Sequence, residues 1–177
     1  LMNAPILVAS AAVVAAAAWC NPAQAASSQQ WFLQTAALSH HFEPTRAPGR
    51  EWNETHAGLG LERRDINPDS AWQVRWTGGV LRDSRSFWGG YGGAAYMRQW
   101  RPSGQVEASL GVGAFAFYRA VDWSGRRQWM PALLPTASIG AANGSFGVNI
   151  VYVPRFGKSD GSATPPTLCG QFVFGFR

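Results

Sequence analysis

The sequence predicts an all-β protein: an eight-stranded antiparallel up-and-down outer-membrane β-barrel. Three observations carry that prediction. Segments of about ten residues alternate apolar and polar side chains with period two, the mark of strands that separate two environments. The connections between them alternate long and short, so an up-and-down meander gathers the long loops at one end and the tight turns at the other. The apolar faces are large and aromatic in a chain of 177 residues with 9 Trp, 10 Phe and 4 Tyr. In a water-soluble, lipocalin-like barrel, Phe172, Phe174 and Phe176 together with Trp72, Val74 and Trp76 would form extensive exposed patches.

The strands follow in order. Residues 31–42, "WFLQTAALSHHF", have no polar helical face and end before a Pro/Gly segment. Residues 55–64, "THAGLGLERR", alternate small with large side chains. Residues 71–82, "AWQVRWTGGVLR", alternate most cleanly, with Trp72, Val74, Trp76 and Val80 on one face and Gln73, Arg75 and Thr77 on the other. Five more runs, 91–100, 105–118, 128–141, 145–156 and 167–177, complete an even set of eight. Between them lie 43–54 (long), 65–70 (short), 83–90 (medium), 101–104 (short), 119–127 (long), 142–144 (short) and 157–166 (long).

The first 25 residues read as an export signal, with an apolar stretch and a small-x-small cleavage site at Ala23–Ala25. The stretch is shorter than the roughly 20 apolar residues of a helix that spans a bilayer. The domain is then 26–177, in which Cys169 is the only cysteine and no disulfide framework exists. A net charge of +5, supplied almost wholly by arginine, and a pI near 9.9 imply an anionic partner. For an exported chain, lipid phosphate fits better than nucleic acid. No metal-ligand spacing, phosphate-cradling glycine loop or nucleotide motif is present, so neither metal nor cofactor is expected.

The meander brings distant residues to one rim. The first strand runs upward to His40 and His41, the third upward to Asp83 and Ser84, with one strand between. At about 4.8 Å per strand their backbones are then about 10 Å apart. A histidine base, a carboxylate and a hydroxyl are the parts of an acyl-transfer site. Taken alone, the same residues read more readily as rim side chains and the start of a turn.

The chain resembles the lipid A palmitoyltransferases of the Gram-negative outer membrane, the PagP family. "SHHF", "WNETHAGLGLE", "LRDSRS", "GGYGG" followed by "QWRP", "ALLPTASIG" and "VNIVYVPRF" match its segments in order between residues 39 and 156. The resemblance implies that Asp83 and Ser84 are catalytic with His41 as third member; His40, on the opposite strand face, is the reserve. It also implies that Pro135 and Pro154 interrupt the strand ladder, since proline has no N–H to donate, and so admit a lipid chain from the side. Gly92 falls at the family's acyl-pocket floor. His56–Ala57 stands where the family has a Pro-containing segment at a second lateral gap, and His56 reads as structural. The family's N-terminal amphipathic helix has no counterpart between Ala26 and Gln30. Arg46 and Arg50 in the first long loop and Arg126 and Arg127 in the third can bind phosphate through paired hydrogen bonds.

The expected function is therefore acyl transfer from a phospholipid donor to lipid A, the acceptor within lipopolysaccharide, by a monomer whose site faces the extracellular leaflet. His41 serves as general base, Asp83 orients and charge-balances it, and Ser84 bonds the reacting group. A lipid A deacylase or phospholipase uses the same parts with water as acceptor. A non-enzymatic adhesion or structural barrel would bind through its long loops.

Overall fold

The computed structural model describes residues 28–45, 49–156 and 164–176. The expected export signal, at residues 1–25, and Arg46 lie outside the described residues. Every named element is a strand: β1 (Ser28–His41), β2 (Thr55–His56), β3 (Gly58–Ile66), β4 (Trp72–Arg82), β5 (Trp88–Ser103), β6 (Val106–Ala120), β7 (Arg127–Ala141), β8 (Phe146–Val153) and β9 (Thr167–Phe176). β2 and β3 are one stave interrupted at Ala57, so the staves number eight. All pairings are antiparallel, and β9 returns to β1 from Trp31↔Phe176 to His41↔Thr167, which closes the barrel. Closure leaves no free edge along that seam, as a strand-built wall in a bilayer requires.

The expected strands hold, with shifted ends. β5 begins at Trp88 rather than 91 and runs through "RPS" to Ser103, so the turn below it shrinks to 104–105. β8 stops at Val153, short of Pro154, because the next residues leave the ladder. The connections after β1, β4, β6 and β8 leave the upper end and those after β3, β5 and β7 the lower, and long and short still alternate except that 67–71 and 83–87 are equal in length.

Side chains are inverted relative to a protein dissolved in water. Trp72, Trp76 and Val80 face outward and are exposed, while Gln73 and Arg75 on the same strand are buried in the lumen. Exposed aromatics gather at two levels. Trp31, Trp72, Trp100 and Phe176 lie near the lower ends of their strands, and Trp88, Tyr118, Trp129 and Tyr152 near the upper ends. Two aromatic girdles around an apolar band are the signature of a bilayer-spanning barrel.

The lumen divides into two halves. Below, Glu62 accepts from Gln34 Nε2 (3.2 Å), Arg64 Nε (2.6 Å) and Asn149 Nδ2. Arg75 donates to Gln73, Ser138 Oγ (2.7 Å) and Ser109 Oγ (2.8 Å), tying β4 to β6 and β7. Tyr91 crosses the lumen to Gln34 Oε1 (2.7 Å) and accepts from Gln171 Nε2 (3.0 Å). The stave next but one, β3, must stay thin to let it pass: a Cβ on Gly60 would sit 2.5 Å from the Tyr91 hydroxyl. Above this polar floor the lumen turns apolar.

Candidate active site

The upper lumen is a cavity of about 180 Å³. Phe115, Phe117, Met130, Leu134 and Val151 give it an apolar wall, while Asp83, Ser84, His56 and Arg119 supply polar groups. The wall follows from strand parity. On β6, Phe115, Phe117 and Arg119 take alternate positions and face inward; on β7, Met130, Ala132 and Leu134 do the same.

Asp83 is fixed by backbone donors. Its Oδ1 accepts from Arg85 N (2.9 Å) and Phe87 N (3.0 Å), and its Oδ2 accepts from Ala120 N on the neighbouring stave (3.0 Å). It is 3 % exposed. A carboxylate that satisfies three N–H groups shapes a loop whatever else it does. The loop is tight enough that Ser86 takes a φ of 68°. Ser84 is buried beside it and lines the cavity.

Residues 52–54 join this loop to β1. Asn53 N donates to Ser84 O (2.8 Å), and Asn53 Nδ2 donates to Asp83 O (3.1 Å). Glu54 Oε1 accepts from His41 N (3.0 Å) and stands 3.5 Å from His41 Nδ1. That backbone donor holds the Glu54 carboxyl below the usual carboxylate range. Trp52 stacks on the His41 ring at 5.1 Å and 14°, and Trp123 stacks on Trp52 at 5.3 Å. The guanidinium of Arg85 lies 5.2 Å from the Trp52 ring and that of Arg50 lies 5.7 Å from Trp123. The result is an aromatic and cationic lid over the rim.

Of the predicted residues, Asp83 and Ser84 therefore share the cavity mouth. His41 faces inward with its side chain 1 % exposed, as its parity required, while the side chain of His40 is 65 % exposed. Asp83, expected to orient and charge-balance His41, makes no hydrogen bond to it. Among the described residues neither His41 ring nitrogen has a hydrogen-bond partner, the carboxylate facing it is Glu54, and the Asp83 oxygens are taken by N–H groups. The cavity is lined instead by His56, whose Nδ1 donates to Arg82 O (2.7 Å) and whose Nε2 accepts from Ser39 Oγ (2.8 Å). A backbone carbonyl can only accept, which sets this tautomer. The ring thus straps β1 to β4 across β2, at the place where His56–Ala57 replaces the family's Pro-containing segment.

Gly92 does not line the cavity. Strand parity puts Tyr91, Ala95 and Met97 inward, so position 92 falls on the other face of β5, and Tyr91 forms the floor. Pro135 and Pro154 do sit at a break. The β7–β8 ladder runs only from Gly140↔Gly147 to Thr136↔Val151, and β7 above it has no β8 partner. Arg126 pairs with Asp122 (3.1 Å) in the exposed 121–126 connection, and Arg127 opens β7 on the surface. Sequence reasoning passed over Arg119, Trp52, Glu54 and the cavity position of His56. Arg119 was within reach, since it continues the inward alternation of Phe115 and Phe117.

Residues 23–163 match a family profile described as "Antimicrobial peptide resistance and lipid A acylation protein PagP". The chain belongs to the PagP family. It is 30 % identical over 165 residues to the "Lipid A acyltransferase PagP" of Sodalis glossinidius (strain morsitans), covering 78 % of this chain and 81 % of that one. It is 26 % identical over 134 residues to the protein of the same name from Pectobacterium atrosepticum, covering 73 % of this chain and 58 % of that one. Among solved structures it is similar to Ail, the attachment invasion locus protein of Yersinia pestis. That likeness has a TM-score of 0.43 at 15 % identity, over 83 % of this chain and 94 % of that one.

Proposed function

We propose that this barrel transfers an acyl chain from a phospholipid to lipid A in the outer membrane of a Gram-negative bacterium, working from the extracellular side. The acyltransferase class comes with the family. The observation that carries the rest is an apolar cavity whose mouth holds Ser84 and Asp83, in a wall that opens beside Pro135. The donor chain enters through the open β7–β8 seam, between Pro135 and Pro154, and lies against Phe115, Phe117 and Leu134 with its ester at the rim.

In the reaction, a lipid A hydroxyl attacks the ester carbonyl and the bond from that carbon to the glycerol oxygen breaks. His41 takes the proton from the attacking hydroxyl and returns it to the departing lysophospholipid oxygen. Glu54, an anion at its side, favours the protonated ring in between. Ser84 hydrogen-bonds the reacting group, and Asp83 holds Ser84 in place through the loop it closes. Arg50, Arg126 and Arg127, with Arg46, meet the phosphates of the acceptor outside the rim.

The test is the mass of lipid A from outer membranes with and without the protein. A gain of one acyl chain is expected; a loss would make the protein a deacylase, and no change would sink the enzymatic reading. Ser84→Ala and His41→Ala should each lower transfer by about 100-fold or more, the usual contribution of a general base. Full transfer by either folded variant removes that residue from the site.

A further inference from the structure

Arg119 is a buried cation at the mouth of a largely apolar cavity, with no salt bridge among the described residues. It sits next to the top of β6, one inward position above Phe117, and lines the cavity with Ser84 and Asp83. Its Nε and Nη2 are cut off from solvent and have no hydrogen-bond partner among the described residues. Unpaired buried cations are costly, and proteins seldom keep one without a use. Neither carboxylate that lines the cavity is available to it. Glu62 lies at the opposite, lower end and is committed to Arg64, Gln34 and Asn149. Asp83 is near enough for the two charges to interact, but its oxygens already accept three backbone N–H groups. The guanidinium therefore projects donors into the mouth with no acceptor among the described residues to receive them.

We propose that Arg119 binds the negatively charged oxygen at the head of an acyl chain lodged in the cavity. Its place beside Ser84 and above an apolar well fits an amphiphile whose tail fills the well. A guanidinium suits either an oxyanion that develops on the ester carbonyl or the phosphodiester of the donor. The choice of ligand rests on the acyl-transfer reading; the anion site does not.

Two measurements on the refolded full barrel test it. In the first, dodecyl phosphate and dodecanol are titrated against tryptophan fluorescence in a zwitterionic detergent. The wild type should favour the phosphate by about tenfold or more, the range of a hydrogen bond to a charged group. Arg119→Gln should abolish that preference, and Arg119→Lys should restore part of it. Equal binding of the two probes by the wild type, or a preference that survives in folded Arg119→Gln, overturns the proposal.

In the second, kcat and KM are taken with a phospholipid donor. A fall in kcat of about 100-fold at constant KM identifies the developing oxyanion as the ligand. A rise in KM at constant kcat identifies the phosphodiester. Unchanged constants in Arg119→Gln overturn the proposal for the reaction. A wild type with no transferase activity that still prefers dodecyl phosphate would defeat the proposed function and leave the anion site standing.

Discussion

The lower and upper halves of the barrel are built from the same staves and yet differ in both wall and filling. Below, the β7–β8 ladder is complete, and the lumen is filled by Glu62, Arg64, Gln34, Asn149, Arg75, Ser109 and Ser138 bonded to one another. Above, β7 from Arg127 to Pro135 has no β8 partner, and the lumen is a cavity with apolar walls, polar groups at its mouth and Gln34, Glu62, Arg75 and Asn149 of the lower network at its base. A barrel wall in lipid must satisfy its own backbone groups. The lower half meets that demand and carries the stability; the upper half relaxes it along one seam. The seam on the other side of the rim is not relaxed. There His56 joins Ser39 to Arg82 and so ties β1 to β4.

The largest effect should come from breaking the lower network. Glu62→Leu strips Arg64 of its 2.6 Å partner and leaves Gln34 and Asn149 without their acceptor. Losing one member of a buried ion pair costs about 3–5 kcal/mol. Urea unfolding of the barrel in lipid vesicles should show that loss, and a cost under about 1 kcal/mol would mean that Arg64 finds Glu107, now 4.0 Å away, as a substitute.

Next is the joint between the halves and the rim. Asp83→Ala leaves the N–H groups of Arg85, Phe87 and Ala120 unpaired at a buried site. An orphaned buried donor costs about 1–3 kcal/mol, and at a rim loop that water can enter once the carboxylate is gone the cost stays at about 1 kcal/mol each. The same unfolding assay should therefore place this variant well below Ser84→Ala, which removes a hydroxyl but no loop support. Equal stability of the two would deny Asp83 its structural part.

How much of this was legible in the sequence follows the same division. Strand period, connection lengths and outward aromatics all report on the wall, and a wall between lipid and lumen repeats every two residues. Trp72, Gln73, Val74, Arg75 and Trp76 could hardly be read otherwise. The rim has no such period. Asp83 bonds to Ala120 and Asn53 bonds to Asp83, contacts that depend on loop paths and not on any spacing in the chain. Parity alone would have moved the pocket floor from Gly92 to Tyr91, had β5 been anchored at Met97, whose side chain is 1 % exposed. His56 was read as structural from its place near a strand start. Only the geometry shows that it is at once a strap and a part of the cavity wall.

A smaller effect tests the open seam. Pro135→Ala with Pro154→Ala supplies N–H groups where the ladder now stops at Thr136↔Val151. Stability should rise by no more than about 1 kcal/mol, the net worth of a hydrogen bond or two, while acyl transfer slows several-fold with phospholipid presented in vesicles. Unchanged turnover would mean that the chain enters elsewhere.

The smallest effect concerns the lid. Glu54 is held below the usual carboxylate range chiefly by the His41 N–H, so its folded form favours the charged state. A depressed pKa contributes stability above the unfolded value and loses it as pH falls through the folded one. Acidification through and below the carboxylate range should therefore loosen the Trp52–His41 stack, and neutral pH should keep it closed. Because Glu54 is half exposed, solvent screens the interaction and the contribution is small. Trp52 fluorescence followed across that acid range should show the transition in the wild type and not in Glu54→Gln. If the substituted barrel titrates identically, the lid is held by its aromatic stack alone, and the upper half is fastened by packing where the lower is fastened by charge.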